Sequence, residues 1–153
     1  MGFSKIELLI VIAILAILGT LTVSSTIGAR NNTELSKAEQ EVTFLLMQAR
    51  TLAMSEEVST RVIFNTNGTY HIERQDRDTL AWTVHESGTG ASQLPASVSL
   101  VTNTFPSQIP VFTPRGTLAV GGSLTLRSIN GKAEVLDGNV ATGRFQLDLG
   151  AIR

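Results

Sequence analysis

The sequence predicts an α+β chain: one long N-terminal α-helix, membrane-spanning in its first half, packed through its second half on a C-terminal antiparallel β-domain. Three observations predict it. Ile6 through Ser25 is predominantly apolar, with Glu7 its only ionisable side chain. Beyond it, Leu35, Ala38, Val42, Leu45, Ala49 and Leu52 recur at alternating spacings of three and four. From Val58 onward, short β-rich runs alternate with turn residues. A bilayer core needs about 20 apolar residues in a helix, three-and-four spacing marks one helical face, and closely spaced strands favour antiparallel over helix-linked parallel sheet.

The first element is the apolar run around Leu8–Leu18. An acidic residue within a span costs about 2.5–3.5 kcal/mol at the helix centre and less near its ends. Glu7 is therefore either a functional group or an interfacial carboxylate. A cleaved secretory signal is the competing reading of this segment, and it would want a basic n-region and a small-residue cleavage site after a shorter apolar core. Glu7 and the missing basic cluster oppose it, while Gly19-Thr20 and Ser24-Ser25 suit it better.

The second element is amphipathic, with Glu34, Lys37, Glu41, Gln48 and Arg50 on much of the face not taken by the apolar stripe. Joined to the span, Phe3 to Met54 forms one helix of about 75–80 Å, with Gly28 and Asn31-Asn32 as places where it bends or melts.

The β-domain begins with Arg61–Phe64 and Thr69–Ile72 around Asn67-Gly68, which reads as a type I′ hairpin. Leu80–Val84 reads as the next strand after a charged loop at Gln75–Asp78, and Ser87–Pro95 as a surface loop. Further strands are expected at Val98–Thr102, Val111–Thr113, Leu124–Ile129, Ala133–Leu136 and Gly143–Leu149, with turns at Gly121-Gly122, Asn130-Gly131 and Asp137-Gly138.

Composition narrows the function classes. Twelve Lys+Arg against 13 Asp+Glu give a net charge of −1, so the whole chain has no electrostatic footprint for nucleic acid or anionic lipid. The absence of cysteine excludes disulfides, thiolate metal sites and cysteine nucleophiles. His71 and His85 lack zinc-site spacing, and Glu73–Asp78 lacks the glycine and remaining ligands of an EF-hand loop. No nucleophile elbow, phosphate loop or dinucleotide fingerprint is present. The expectation is a chain that is not an enzyme and uses no metal or cofactor.

Gly2-Phe3-Ser4-Lys5-Ile6-Glu7, continuing through Leu8–Leu15, resembles the class III signal of type IV pilins and type II secretion pseudopilins. It departs from that pattern in its two-residue leader and in Lys5, where an apolar residue is usual. The resemblance implies that a prepilin peptidase cuts between Gly2 and Phe3, that Phe3 becomes the N-methylated first residue, and that Glu7 pairs with a neighbouring subunit's amino terminus during filament assembly. Gln48–Ala53, Arg61-Val62, Phe112–Gly116 and Thr142–Phe145 further resemble the GspH/FimT group of minor pseudopilins and minor pilins.

The implied organisation is pilin-like: residues 1–2 leader, 3–25 transmembrane half-helix, 26–54 amphipathic half-helix and 55–153 β-domain. The implied role is a minor pilin or pseudopilin that initiates or caps a type IV pilus or type II secretion pseudopilus. Its implied partners are other major and minor pilins or pseudopilins, the prepilin peptidase, the inner-membrane assembly platform and the lipid bilayer. Its implied location is the inner membrane, single-pass with a periplasmic β-domain, and then the filament. One alternative is a DNA-binding minor pilin for natural transformation, with Arg144 and Arg153 as candidate contacts. Gly143-Arg144-Phe145-Gln146 lacks the second arginine of the Gly-Arg-x-Arg tail of such proteins, so weak or absent duplex binding is expected. A single-span envelope protein unrelated to filaments is the third reading.

Overall fold

A computed structural model describes residues 5–85 and 92–148, apart from the side chains of 18–27. Helix α1 runs Lys5–Glu56, 52 residues, or about 78 Å at 1.5 Å per residue. It passes through Gly28 and Asn31-Asn32 as regular α-helix, against the expected bend. The physical reason is local bracing. Arg30 pairs with Glu34 one turn on, at 2.9 Å, and the Thr33 hydroxyl donates to the Ala29 carbonyl at 3.0 Å. The asparagines themselves are docking points. Ser128 Oγ donates to the Asn31 carbonyl at 3.5 Å, and Asn130 Nδ2 donates to Asn32 Oδ1 at 2.9 Å.

Among the described residues, no helix is long and apolar enough to cross a membrane. The described apolar run ends at Ile17, short of the roughly 20 residues a bilayer needs. The expected span of Ile6–Ser25 continues into residues 18–25, whose side chains lie outside the description.

The β-domain holds two antiparallel sheets. Strands β1 Thr60–Phe64, β2 Thr69–Gln75, β3 Trp82–Val84 and β6 Val111–Phe112 form the first in the order β3-β2-β1-β6, with β4 Ser92–Gln93 also on β2. Strands β5 Val98–Asn103, β7 Gly122–Ser128, β8 Ala133–Asn139 and β9 Arg144–Leu147 form the second in the order β5-β7-β8-β9. The α+β arrangement with antiparallel sheet is thus present. Leu35, Ala38, Val42, Leu45 and Ala49 are buried, Leu52 packs beside them, and Leu46 and Ala53 join from the neighbouring helical row. They meet Val62, Tyr70 and Ile72 of the first sheet and Leu124, Leu126 and Leu136 of the second.

The Asn67-Gly68 hairpin is not a two-residue type I′ turn. Asn65 N donates to Thr69 O at 2.8 Å, and only Gly68 of the loop has positive φ, +82°. This is a three-residue loop, a type I turn closed by a left-handed glycine. The same device recurs at Pro114-Arg115-Gly116 and Ile129-Asn130-Gly131, closed by Thr113 N to Thr117 O and Ser128 N to Lys132 O, both 2.8 Å. Pro114 presets φ for the first turn position.

Three other expectations need correction. Leu80 belongs to the turn before β3, with φ +57°. Ser92–Gln93, expected as loop, pairs with β2 at Thr69 and Tyr70. Gly138 lies inside β8 and pairs with Gly122 of β7, and the chain turns only after Asn139. These glycines answer to packing rather than turning: a Cβ on Gly122 would sit 2.7 Å from the Phe105 ring, and one on Gly138 would sit 2.8 Å from Leu118.

Candidate functional site

The short motifs scattered along the chain converge where α1 ends. Arg50 Nε donates to the Gly116 carbonyl at 2.8 Å. Gly116 has φ +74°, and the space where its Cβ would stand is filled by Met54 of the helix. Gly143 has φ +61° and lies so close that a Cβ would collide with the Gly116 carbonyl. Phe145 then packs on Phe112, with ring centroids 6.3 Å apart, and on Phe105 at 5.9 Å. Thr60 and Arg61 pair with Phe112 and Val111 in register, and Thr60 Oγ1 donates to the Ala49 carbonyl at 2.8 Å. Helix end, β1, the β6 loop and the β8–β9 turn are therefore bound into one joint.

A second joint holds the helix C-terminus. No basic residue lies in the last turn of α1, so the exposed carbonyls and the negative end of the helix dipole must be answered from elsewhere. The charged loop answers them. Arg74 pairs with Glu56 at 2.8 Å, Arg77 donates to the Glu56 carbonyl, and Arg77 lies 3.5 Å from Glu57. Asp76 Oδ1 accepts from Thr79 N, Asp78 N and Thr79 Oγ1 at 2.8–3.0 Å, and these bonds hold its carboxyl below the usual range. Arg74, Asp76 and Arg77 of the charged loop are thereby consumed in structure.

The histidines do not assemble a metal site. His71 Nε2 lies 3.3 Å from Glu73, whose other oxygen takes Arg61 at 2.6 Å. Arg61 stacks 4.3 Å from the Trp82 ring centre. Among the described residues, no group of three or more His, Asp or Glu side chains could hold a metal.

The helix–sheet seam carries an unexpected carboxylate. Glu134 is 7% exposed on the inner face of β8, and its Oε2 has no partner among the described residues. Lys132 reaches the other oxygen at 3.4 Å. Glu39 of α1 faces this group, and burial, reinforced by the charge of Glu134, raises its carboxyl above the ordinary value.

Of the residues singled out from sequence, Glu7 is exposed in the first turn of α1. Gly2, Phe3 and Arg153 lie outside the described residues. Arg144 is exposed at the start of β9. Because Gly143 abuts Gly116, Arg144 and Arg115 each stand one residue from that contact. Sequence reasoning missed a further feature. Helix α1 also carries exposed apolar side chains off the core stripe, with Phe44 68%, Met47 62% and Met54 40% exposed. The spacings of three and seven were the available signal.

No protein-family profile and no curated protein sequence matches the chain. Its fold is similar to that of the minor pseudopilin EpsH from the Type 2 Secretion System of Vibrio cholerae, with a TM-score of 0.58 at 12% identity over 75% of this chain and 96% of that one. A second EpsH structure gives a TM-score of 0.57 at 11% identity over 75% of this chain and 93% of that one. The type IV minor pilin FimU of Pseudomonas aeruginosa is similar over 76% of this chain and 90% of its own, with a TM-score of 0.53 at 21% identity. These likenesses show the fold, which is that of pilins and pseudopilins.

Proposed function

We propose that this pilin-like chain is a structural subunit, a minor pilin or pseudopilin that enters a helical filament and initiates or caps it. The observation that carries the reading is the two-faced helix. The β-domain covers one stripe of α1 and leaves Phe44 and Met47 bare and Met54, which packs on Gly116, 40% exposed, while Ile6, Leu8, Leu9, Ile10, Ile12 and Leu15 are each at least 51% exposed. Monomers rarely leave large apolar patches uncovered unless they mark a partner or membrane surface. A bilayer covers the N-terminal part before assembly, and the helices of neighbouring subunits cover both parts afterwards. Burial recovers about 25 cal/mol per Å² of apolar surface, a driving force that recurs at every subunit contact.

On the same reading Gly2 is removed with the leader, Phe3 is the methylated first residue, and Glu7 meets a neighbour's amino terminus. The organisation is then 3–25 membrane half-helix, 26–54 amphipathic half and 55–153 β-domain. Tagged full-length protein, expressed beside pilus or secretion machinery, tests this: it should co-sediment with sheared filaments, and Glu7→Ala should remain in the membrane fraction but be lost from them. An initiating subunit predicts fewer filaments when deleted. Normal incorporation of Glu7→Ala would remove the assembly role from that residue.

One observation favours a second reading. Arg115 and Arg144 each stand one residue from the Gly116–Gly143 contact, which adds Arg115 to the Arg144 and Arg153 offered by the sequence. Two phosphate contacts give only weak, salt-dependent duplex binding. Structural assembly therefore remains the preferred role, and a mobility-shift titration at low and moderate salt decides between them. Micromolar binding abolished by Arg144→Ala would favour the DNA role.

A further inference from the structure

We propose that the outer face of the second sheet carries a binding cleft for a neutral saccharide. The cleft has a volume of about 490 Å³, and its polar lining is Thr104, Ser123, Asp137, Asn139 and Gln146. Ser123, Asp137 and Asn139 alternate along their strands with the buried Leu124, Leu136 and the inward Gly138, so they point away from the core. Asp137 is paired directly with Ser123 on one side and with Gln146 on the other. Thr104 continues the row, since its Oγ1 accepts from Ser123 N at 2.7 Å and lies 3.2 Å from Ser123 Oγ. The row runs from the residue just after β5 across β7, β8 and β9, roughly 14 Å at the usual interstrand spacing.

Part of its hydrogen-bonding capacity is unused. Among the described residues, the Asp137 carboxylate and the Gln146 carboxamide have no partner. Asn139 Oδ1 accepts from Thr142 N at 3.1 Å, which leaves its amide donors free. The cleft thus offers a charged acceptor, a donor–acceptor pair and two free donors in a line, with hydroxyls fixed at one end. Among the described lining residues the one charge is the Asp137 carboxylate, which disfavours a phosphate or sulfate, and a cation, Arg144, stands at the edge opposite Asn139. One carboxylate without further acidic neighbours does not make a cation site. Among the described lining residues there is no large apolar side chain, so an apolar ligand has nothing to bury against. Adjacent hydroxyls of a pyranose ring match the set: they donate to the carboxylate in charge-assisted bonds and exchange bonds with the amides.

The floor is preformed. Gly122 and Gly138 pair across β7 and β8, and the Phe105 ring lies against them from the core side, 2.7 Å and 3.0 Å from where their Cβ atoms would be. Polar groups set on a rigid sheet lose little freedom on binding. The cleft lies on the face away from α1, so its use does not depend on the filament reading.

Amide chemical shifts of the full chain test the proposal, in a detergent with no sugar headgroup, titrated with maltose, cellobiose and N,N′-diacetylchitobiose. At least one probe should give saturable shifts at Thr104, Ser123, Gly138 and Gln146. Asp137→Ala and Gln146→Ala should each weaken binding by about tenfold or more, while Arg127→Ala, outside the cleft, should leave it unchanged. Both cleft residues are exposed, and the two variants give independent readings if one folds poorly. Absence of saturable shifts with all three probes, or equal affinity in Asp137→Ala and Gln146→Ala, overturns the proposal.

Discussion

Arg50 and Gly116 lie 66 residues apart in sequence and are joined by a 2.8 Å hydrogen bond from the guanidinium Nε to the backbone carbonyl. A helix side chain thereby closes a loop belonging to the β-domain, and the same carbonyl is the surface against which Gly143 packs. Three segments meet at one peptide group.

Arg50→Ala should destabilise the chain by about 1–3 kcal/mol, the usual consequence of stranding a partly buried carbonyl. The midpoint of urea unfolding at unchanged slope checks this. A loss below about 0.5 kcal/mol would show that water replaces the bond without penalty.

Gly143→Ala and Gly68→Ala should differ, although both place alanine at positive φ. Gly68, with φ +82°, has open space around its absent Cβ, whereas Gly143, with φ +61°, faces the Gly116 carbonyl. Gly68→Ala should lose only the conformational strain of a left-handed residue, about 1–2 kcal/mol. Gly143→Ala adds a collision with backbone and should lose clearly more. Equal unfolding midpoints for the two variants would contradict the contact.

Two glutamates five residues apart on α1 should give opposite pH dependences. The Ser97 hydroxyl and then Arg30 hold the Glu34 carboxyl below the ordinary glutamate value of 4.5. Its contribution to stability is therefore present above pH 4.5 and is lost as pH falls through the lowered folded value. Burial, and then Glu134, raise Glu39 above 4.5, so the ionised form opposes folding. Stability linked to Glu39 is present below pH 4.5 and is lost as pH rises through the raised value. Unfolding measured from pH 3 to 8 should show Glu34→Gln destabilising at neutral pH with a vanishing effect in acid, and Glu39→Gln stabilising at neutral pH.

Phe44→Ser with Met47→Ser should leave stability within about 0.5 kcal/mol, because both side chains face solvent. The double variant should nevertheless be depleted from sheared filaments relative to its membrane pool. Unchanged incorporation would mean that this face meets no neighbour.

Much of the fold was legible because helical periodicity is a many-residue signal. Leu35 through Ala49 alternate at three and four, and each is buried. Glycines misled where one residue type serves two physical ends: Gly131 closes a turn, whereas Gly138 makes room for Phe105 and Leu118. Asn31-Asn32 read as a helix breaker because their partners, Ser128 and Asn130, come from nearly 100 residues away. The Arg50–Gly116–Gly143 joint was present in the sequence as three short fragments whose contact only the fold reveals. Glu134 ran against the rule that inner-face positions are apolar, and no local pattern signals a buried carboxylate.

The uninterrupted helix also has a mechanical meaning. Its first described ties to the β-domain are at Asn31, Asn32 and Glu34, so Lys5 to Arg30 forms a lever arm of about 39 Å ahead of them. A sideways load at the tip acts with the full leverage of that arm on Asn31, Asn32 and Glu34, whereas an axial pull is shared along the buried stripe to Ala53. The chain is thus compliant to bending and stiff to extraction, the combination required of a part that is drawn lengthwise out of one environment and into another.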